Sequence, residues 1–218
     1  MSQQDLSESI LERFPMPQEQ TIEHILFQHR EALTTYEGLL RHWQKALNLV
    51  SSGTLDAFWE RHVRDSAQLL PFLDLEAPLG DCGSGAGFPG LVLALLGAQA
   101  VHLIESDQRK CLFLEEVMRA TGVRAHLHSR RFEHMTPDLF PGGVPRTWVA
   151  RAFASIDQIF TWSEGLRTEG TRYVLLKGAR ADEEINDALK KWVFRVEKHP
   201  SLTHAGAFVV VLQEVARR

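Results

Sequence analysis

Between Thr21 and Leu47 the apolar residues Ile22, Ile25, Leu26, Leu33, Tyr36, Leu39, Leu40, Trp43 and Leu47 recur at spacings of three and four, with charged residues between them. That is the period of amphipathic helix. A second such stretch runs from Leu55 to Leu73 and carries Phe58, Trp59, Val63, Leu69 and Leu70. Residues 19–75 are therefore expected to form a small helical subdomain. Its apolar face must pack on something, most simply as a cap on the rest of the chain. Residues 1–18, rich in Ser, Gln and Glu and closed by Pro15 and Pro17, are expected to be a mobile lead-in.

After Pro78 the pattern changes to short apolar runs alternating with amphipathic stretches. The runs predict strands at Leu79–Cys82, Ala100–Glu105, Arg124–His128, Trp148–Ala150, Tyr173–Leu176, Trp192–Glu197 and Phe208–Gln213. Helices are predicted over Gly90–Leu96, Gln108–Thr121, Ser155–Arg167 and Asp182–Lys191. Seven strands with helices between the first five imply an α/β, Rossmann-like, doubly wound sheet with its ligand beyond the strand C-terminal ends. No helix candidate separates the last two strands, which should close the sheet as an antiparallel pair.

Composition narrows the function classes. The 218 residues suffice for one α/β domain with a modest appendage. No run of about 18 apolar residues offers a membrane span, and the first residues lack the pattern of a secretion signal. Two cysteines, Cys82 and Cys111, are too few for a disulfide framework or a thiolate zinc site, which fits a reducing cytoplasm. A formal net charge of −4 argues against coating nucleic acid by bulk electrostatics. It leaves room for an enzyme that meets RNA through one local basic face.

The sharpest local signal is Asp81-Cys82-Gly83-Ser84-Gly85-Ala86-Gly87-Phe88-Pro89-Gly90, between a predicted strand and a predicted helix. Glycines there permit a tight turn and close approach of a ligand to the backbone. Amides at the helix start favour an anionic group. Gly83, Gly85 and Gly87 give the G-x-G-x-G of methyltransferases, while Gly85, Gly87 and Gly90 spell the dinucleotide fingerprint G-x-G-x-x-G. Ser84 is not a hydrolase elbow serine, because Cys82 stands where that motif needs glycine. Glu105 ends the second predicted strand roughly twenty residues after Gly83, where a carboxylate can bind the hydroxyls of an adenosine ribose. That supports an adenosine cofactor without choosing between NAD and S-adenosylmethionine.

Five segments taken in order go further: Asn48-Leu49-Val50, Arg61-His62-Val63-Arg64-Asp65-Ser66, the glycine loop, Arg151-Ala152-Phe153-Ala154-Ser155, and Leu176-Lys177-Gly178. Together they resemble the rRNA small-subunit methyltransferase G family, also called glucose-inhibited division protein B. The resemblance covers roughly residues 45–180 and implies a seven-stranded S-adenosylmethionine-dependent methyltransferase domain over 76–218. It also implies methylation of guanine N7 in a 16S rRNA loop, with that rRNA or the small ribosomal subunit as partner. By resemblance Gly83 and Phe88 line the cofactor, Phe132 and Glu133 flank its adenine, and Arg151 reaches the cofactor or the incoming base. Ser84, Gly85, Gly87 and Glu105 complete the expected cofactor site. The first strand reads Leu79-Gly80-Asp81-Cys82 where the family pattern has Val/Leu-Asp-Val/Ile-Gly. Arg130-Arg131-Phe132 stands where it commonly has Gly-Arg and a small residue.

Guanine N7 carries an in-plane lone pair at neutral pH, so its methylation needs placement and no general base. The catalytic candidates are accordingly few: Arg151, and Phe153 as the base-stacking residue beyond the fourth strand. Trp148 and Trp162 are expected in the core. Arg130, Arg131, Lys177 and Arg180, near strand C-terminal ends, are the candidates for RNA phosphates. His126, His128 and His134 lack the partners of a metal site, and His62 is expected to pack between the helical subdomain and the sheet. Two rival readings stay open: an NAD-linked oxidoreductase using the same loop, and a non-catalytic ribosome-assembly factor that binds RNA.

Overall fold

A computed structural model describes residues 19–218, so the expected lead-in over 1–18 lies outside the described residues. Helices α1 (Glu19–Gln28) and α2 (Arg30–Trp43) come first. The second predicted amphipathic stretch is not one helix. It divides into α3 (Ser52–Leu55), a π-helical turn (Trp59–Arg64), α4 (Asp65–Ala67) and a 3-10 turn (Leu70–Phe72), where Pro71 removes an amide from any continuing helix.

The sheet follows: β1 (Leu79–Cys82), α5 (Gly90–Leu95), β2 (Val101–Glu105), α6 (Gln108–Thr121), β3 (His126–Ser129), β4 (Thr147–Arg151), α7 (Ile156–Trp162), β5 (Arg172–Lys177), α8 (Ala181–Leu189), β6 (Trp192–Pro200) and β7 (Phe208–Arg217). Strand order is β3-β2-β1-β4-β5-β7-β6. The first five strands are parallel, and β7 runs antiparallel to both β5 and β6, as the missing helix between them predicts. One expectation fails: β3 and β4 are joined by two 3-10 turns, Phe132–His134 and Pro137–Leu139, and not by an α-helix. Pro137 and the Gly142-Gly143 pair break any helical period there.

Local chemistry sets the helix ends near the sheet crest. Asp107 accepts from the amides of Arg109 and Lys110 to start α6, and Gly122, at φ 72°, ends it in the left-handed region. Ser155 and Gln158 form a capping box that starts α7 one residue later than predicted.

Alternate residues of the strands feed two cores. Val101, Leu103, Val149, Val174, Val209 and Val211 face one side, and there α1, α2, α5 and α6 pack into a single continuous core. Ile104, Trp148, Ala150, Tyr173, Leu175, Val210 and Leu212 face the other, against α7 and α8. Gly80 pairs with Trp148 across β1 and β4, and any Cβ at Gly80 would strike the indole. Glycine at position 80 of β1 is thus a matter of volume. No helix among the described residues is long and apolar enough to cross a membrane. Strand order reverses between β1 and β4, and the crevice that opens there holds the site.

Candidate active site at the sheet crest

A cavity of about 1220 Å³ lies over the C-terminal ends of β1, β2, β4 and β5. The glycine loop forms its floor, and its glycines do different work. Gly83 (φ 70°) lies under the Phe153 ring, which a Cβ would hit. Gly85 (φ 58°) faces open space, with only the Gly83 carbonyl within 4 Å of a Cβ there. Gly87 (φ 92°) turns away from the cavity toward the Tyr36 hydroxyl, Leu91 and Leu114. A Cβ on Gly90 would meet Asp81 Oδ2 at 2.6 Å, and its amide donates to that same oxygen at 3.0 Å. Gly87 is therefore a packing glycine, its missing Cβ turned from the cavity. Ser84 lines the cavity, but its buried hydroxyl donates to the Asp81 carbonyl and accepts from the Ile104 amide, which locks the loop to β2. Gly90 keeps the helix-on-strand packing of a third fingerprint glycine, but Gly87, where a dinucleotide loop brings backbone to the pyrophosphate, faces Tyr36 and Leu91 instead.

Glu105 closes the loop from the neighbouring strand. Its Oε2 accepts from Gly85 N at 2.9 Å and its Oε1 from Asp107 N at 2.8 Å. Each oxygen keeps a lone pair for a hydroxyl in the cavity. Asp81, below the loop, is fully buried; burial raises its carboxyl to about 7, against the pull of Ser84 and Gly90. Its Oδ1 has no hydrogen-bond partner among the described residues.

The opposite wall comes from remote segments. Arg151, at the end of β4, donates from Nη1 to the Arg61 carbonyl (2.6 Å) and to Asp65 Oδ2 (3.2 Å), and from Nη2 to His62 Nδ1 (2.8 Å). Its guanidinium lies 4.9 Å from the centroid of Phe88. An arginine only donates, so His62 Nδ1 accepts, the ring proton sits on Nε2, and Nε2 donates to Thr54 Oγ1 at 3.1 Å. Burial, then Arg151 and Arg61, lowers His62 to about 3, so the ring is neutral. Phe88 stacks on His62 (4.6 Å) and on Tyr36 (5.4 Å), and the Tyr36 hydroxyl donates to the Ala86 carbonyl. Phe88 is thus buried and holds the loop against the helices, with little face left to stack on a base. His62 packs between helices and sheet, as expected, and also orients Arg151.

Phe153 is half-buried at the cavity, between Gly83, Phe132 and Trp162. Trp148 is core, whereas Trp162 is half-buried and lines the cavity, which apolar spacing alone did not show. Phe132 is nearly all core, set edge-on to Trp148, and reaches the cavity only at its rim. Glu133 is exposed and sits 3.8 Å from Arg131. Arg130, Arg131 and Arg180 are exposed along the cavity mouth. Lys177 does not join them. Its ammonium donates to Glu184 (2.7 Å) and to the Ala154 carbonyl (2.6 Å), with 9% of the side chain exposed. It is committed to the β4–α7 loop and is no free phosphate contact.

Sequence reasoning missed Tyr36, Thr54 and Asp65. The spacing of His62 and Asp65, one helical turn apart, was the available signal. Among the described residues no group of three or more His, Cys, Asp or Glu side chains could hold a metal ion.

A model of the GidB family, described as rRNA small subunit methyltransferase G, matches residues 29–209. The Ribosomal RNA small subunit methyltransferase G of Paramagnetospirillum magneticum is 43% identical over 188 residues, covering 86% of this chain and 89% of that protein. Its counterpart in Rhodospirillum centenum is 44% identical over 190 residues, 86% of this chain and 85% of that one. Among solved structures, P. horikoshii TYW2 in complex with MeSAdo aligns at a TM-score of 0.51 and 16% identity, over 72% of this chain and 62% of its own. A SAM-dependent O-methyltransferase of Thermotoga maritima aligns at 0.51 and 15% identity, over 71% and 66%. At such identities the likeness is one of fold.

Proposed function

The chain belongs to the rRNA small subunit methyltransferase G family, and from that premise we propose which of its residues move a methyl group from S-adenosylmethionine to N7 of a guanine in a 16S rRNA loop. The observation that carries the assignment is the open space at Gly85 bounded by the Glu105 carboxylate. A nucleoside fits there: backbone approaches it without a Cβ, and both carboxylate oxygens can accept from ribose hydroxyls.

When bound, S-adenosylmethionine supplies a methyl on a cationic sulfur; its S–C bond breaks as the N7–C bond forms, and the positive charge passes to the base. The chain's part is to hold two planar groups and exclude water. Gly83 and Gly85 form the floor, Glu105 grips the ribose, and the edges of Phe132 and Glu133 border the adenine. Phe153 is placed by Gly83 below it and by Lys177, which fixes the Ala154 carbonyl. It stacks on the guanine once that base has left its own stack. Arg151 is fixed on three partners and aims its remaining donor capacity at the base, where O6 neighbours N7. Arg130, Arg131 and Arg180 meet the phosphates. We place the reaction in the cytoplasm, on 16S rRNA or the small ribosomal subunit.

The test is mapping of 7-methylguanosine, by reduction and chain cleavage, in 16S rRNA from cells lacking the protein and cells given it back. Cleavage at one guanine should appear only with the wild-type protein, and Arg151→Ala should abolish it while leaving the protein folded. An unchanged cleavage pattern overturns the substrate assignment.

A further inference from the structure

Asp65 sits where three parts of the molecule meet. Its Oδ2 accepts from Arg151, while its Oδ1 accepts from Thr203 Oγ1 (2.6 Å) and from Gln68 Nε2 (2.8 Å). Both Asp65 and Arg151 line the cavity, each with about a fifth of its side chain exposed. The hydrogen bonds that Arg151 donates to His62 and to the Arg61 carbonyl go to neutral groups, so among the described residues Asp65 is the only carboxylate in ion-pair contact with that guanidinium. Lys177, further along the cavity, is balanced separately by Glu184.

The charge at this wall matters for the chemistry. On the methyl-transfer reading, on which this inference rests, the pocket holds one positive charge before transfer and one after it. A buried, permanently charged arginine beside a sulfonium repels it in a partly desolvated site, where Coulomb energies exceed those in water. The arginine is tolerable only if its own charge is cancelled nearby.

We propose that Asp65 is the charge-balancing residue of the site: by neutralising Arg151 it lets the pocket accept a cationic methyl donor and discriminate it from the neutral product. Asp65 acts through Arg151, so it is a positioning residue and not a catalytic one. Its bonds to Thr203 and Gln68 tie the turn between β6 and β7 to the same point, which holds the carboxylate in place from behind.

The experiment compares S-adenosylmethionine with S-adenosylhomocysteine, which differ by one methyl and one charge, by calorimetry on the full chain. Asp65→Asn should weaken the cationic ligand about tenfold more than the neutral one. Arg151→Gln should move the ratio about tenfold the other way, since it leaves Asp65 uncompensated. The double variant D65N/R151Q should return the ratio to near wild type. Thr203→Val, which removes the hydroxyl's bonds to Asp65 and Ser201 and leaves the Asp65 charge in place, should leave the ratio unchanged. Equal weakening of both ligands in D65N, or ratio shifts of the same sign in D65N and R151Q, would overturn charge balancing while the methyltransferase reading stands. A wild-type chain that binds neither ligand would bring down both. If D65N fails to fold, the sign of the R151Q shift still decides.

Discussion

The two walls of the cavity are built on different plans. The wall at β1 and β2 is made of backbone: two glycines in the left-handed region, amides, and one carboxylate held by two of those amides. The wall at β4 is drawn from segments far apart in sequence: the Arg61 carbonyl and the side chains of His62 and Asp65 before the sheet, and Arg151 within it, with Thr203 bonding Asp65 from behind the wall. A wall of backbone resists any added side chain. A wall of side chains answers to charge and to single hydrogen bonds.

The hardest blow to the first wall is Gly83→Ala. The new methyl enters the Phe153 ring and a non-glycine residue is forced to positive φ, a strain of about 1–3 kcal/mol before the clash is counted. Affinity for S-adenosylmethionine should fall about a hundredfold or more by calorimetry, well beyond what the accompanying fall of several degrees in melting temperature accounts for. Gly87→Ala should do the reverse. It drives a methyl into Tyr36 and Leu91, so urea denaturation should show a loss of about 2–4 kcal/mol, and the ligand affinity of the folded fraction should change little. If the two variants behave alike, the division of labour among the glycines is wrong.

Tyr36→Phe probes the seam between the walls more gently. It keeps the stack on Phe88 and removes the donor to the Ala86 carbonyl. Loss of one such bond, about 1 kcal/mol, should raise the dissociation constant for S-adenosylmethionine about fivefold. An unchanged constant would mean that the helices hold the loop by packing alone.

A separate effect, spread over several pH units, is in the titration of the buried groups. Folded His62 and His102 stay neutral down to about 3 and about 4, both mainly because of burial, while in the unfolded chain each gains a proton below about 6.5. Asp81 works oppositely: burial keeps its folded carboxyl protonated up to about 7, while the unfolded one ionises near about 3.9. Across the window from about pH 4 to about 6.5 the unfolded chain therefore binds about one more proton than the native one. Stability should rise with pH there by up to about 1.4 kcal/mol per unit. Just above that window the Asp81 difference prevails, so stability should decline as pH rises to about 7. Asp81→Asn should remove the decline and steepen the acid limb, as read from urea midpoints across pH.

The same contrast explains what could be read from sequence. Strand count, the parallel run and the antiparallel close were legible because alternating apolar positions must face two cores. The glycine loop was legible because its demands are on the backbone and fall on consecutive residues. Glycine identity does not say which way a missing Cβ would point, so the packing of Gly87 and the bonds of the Ser84 hydroxyl within the loop were not legible. Lys177 misled for a related reason: a cation at a strand end reads as a phosphate contact until Glu184, seven residues on, is seen to hold it. Asp65 shows in the sequence only through its spacing from His62, because its partners at 151 and 203 are joined to it only by the fold.

The tryptophan that lies across Gly80 has a consequence for descent. The indole occupies the volume in which any side chain at position 80 would have to live, so neither position can drift independently. Relatives that carry a bulkier residue at the position of Gly80 should carry a small one at that of Trp148, and the two should swap as a pair through the lineage.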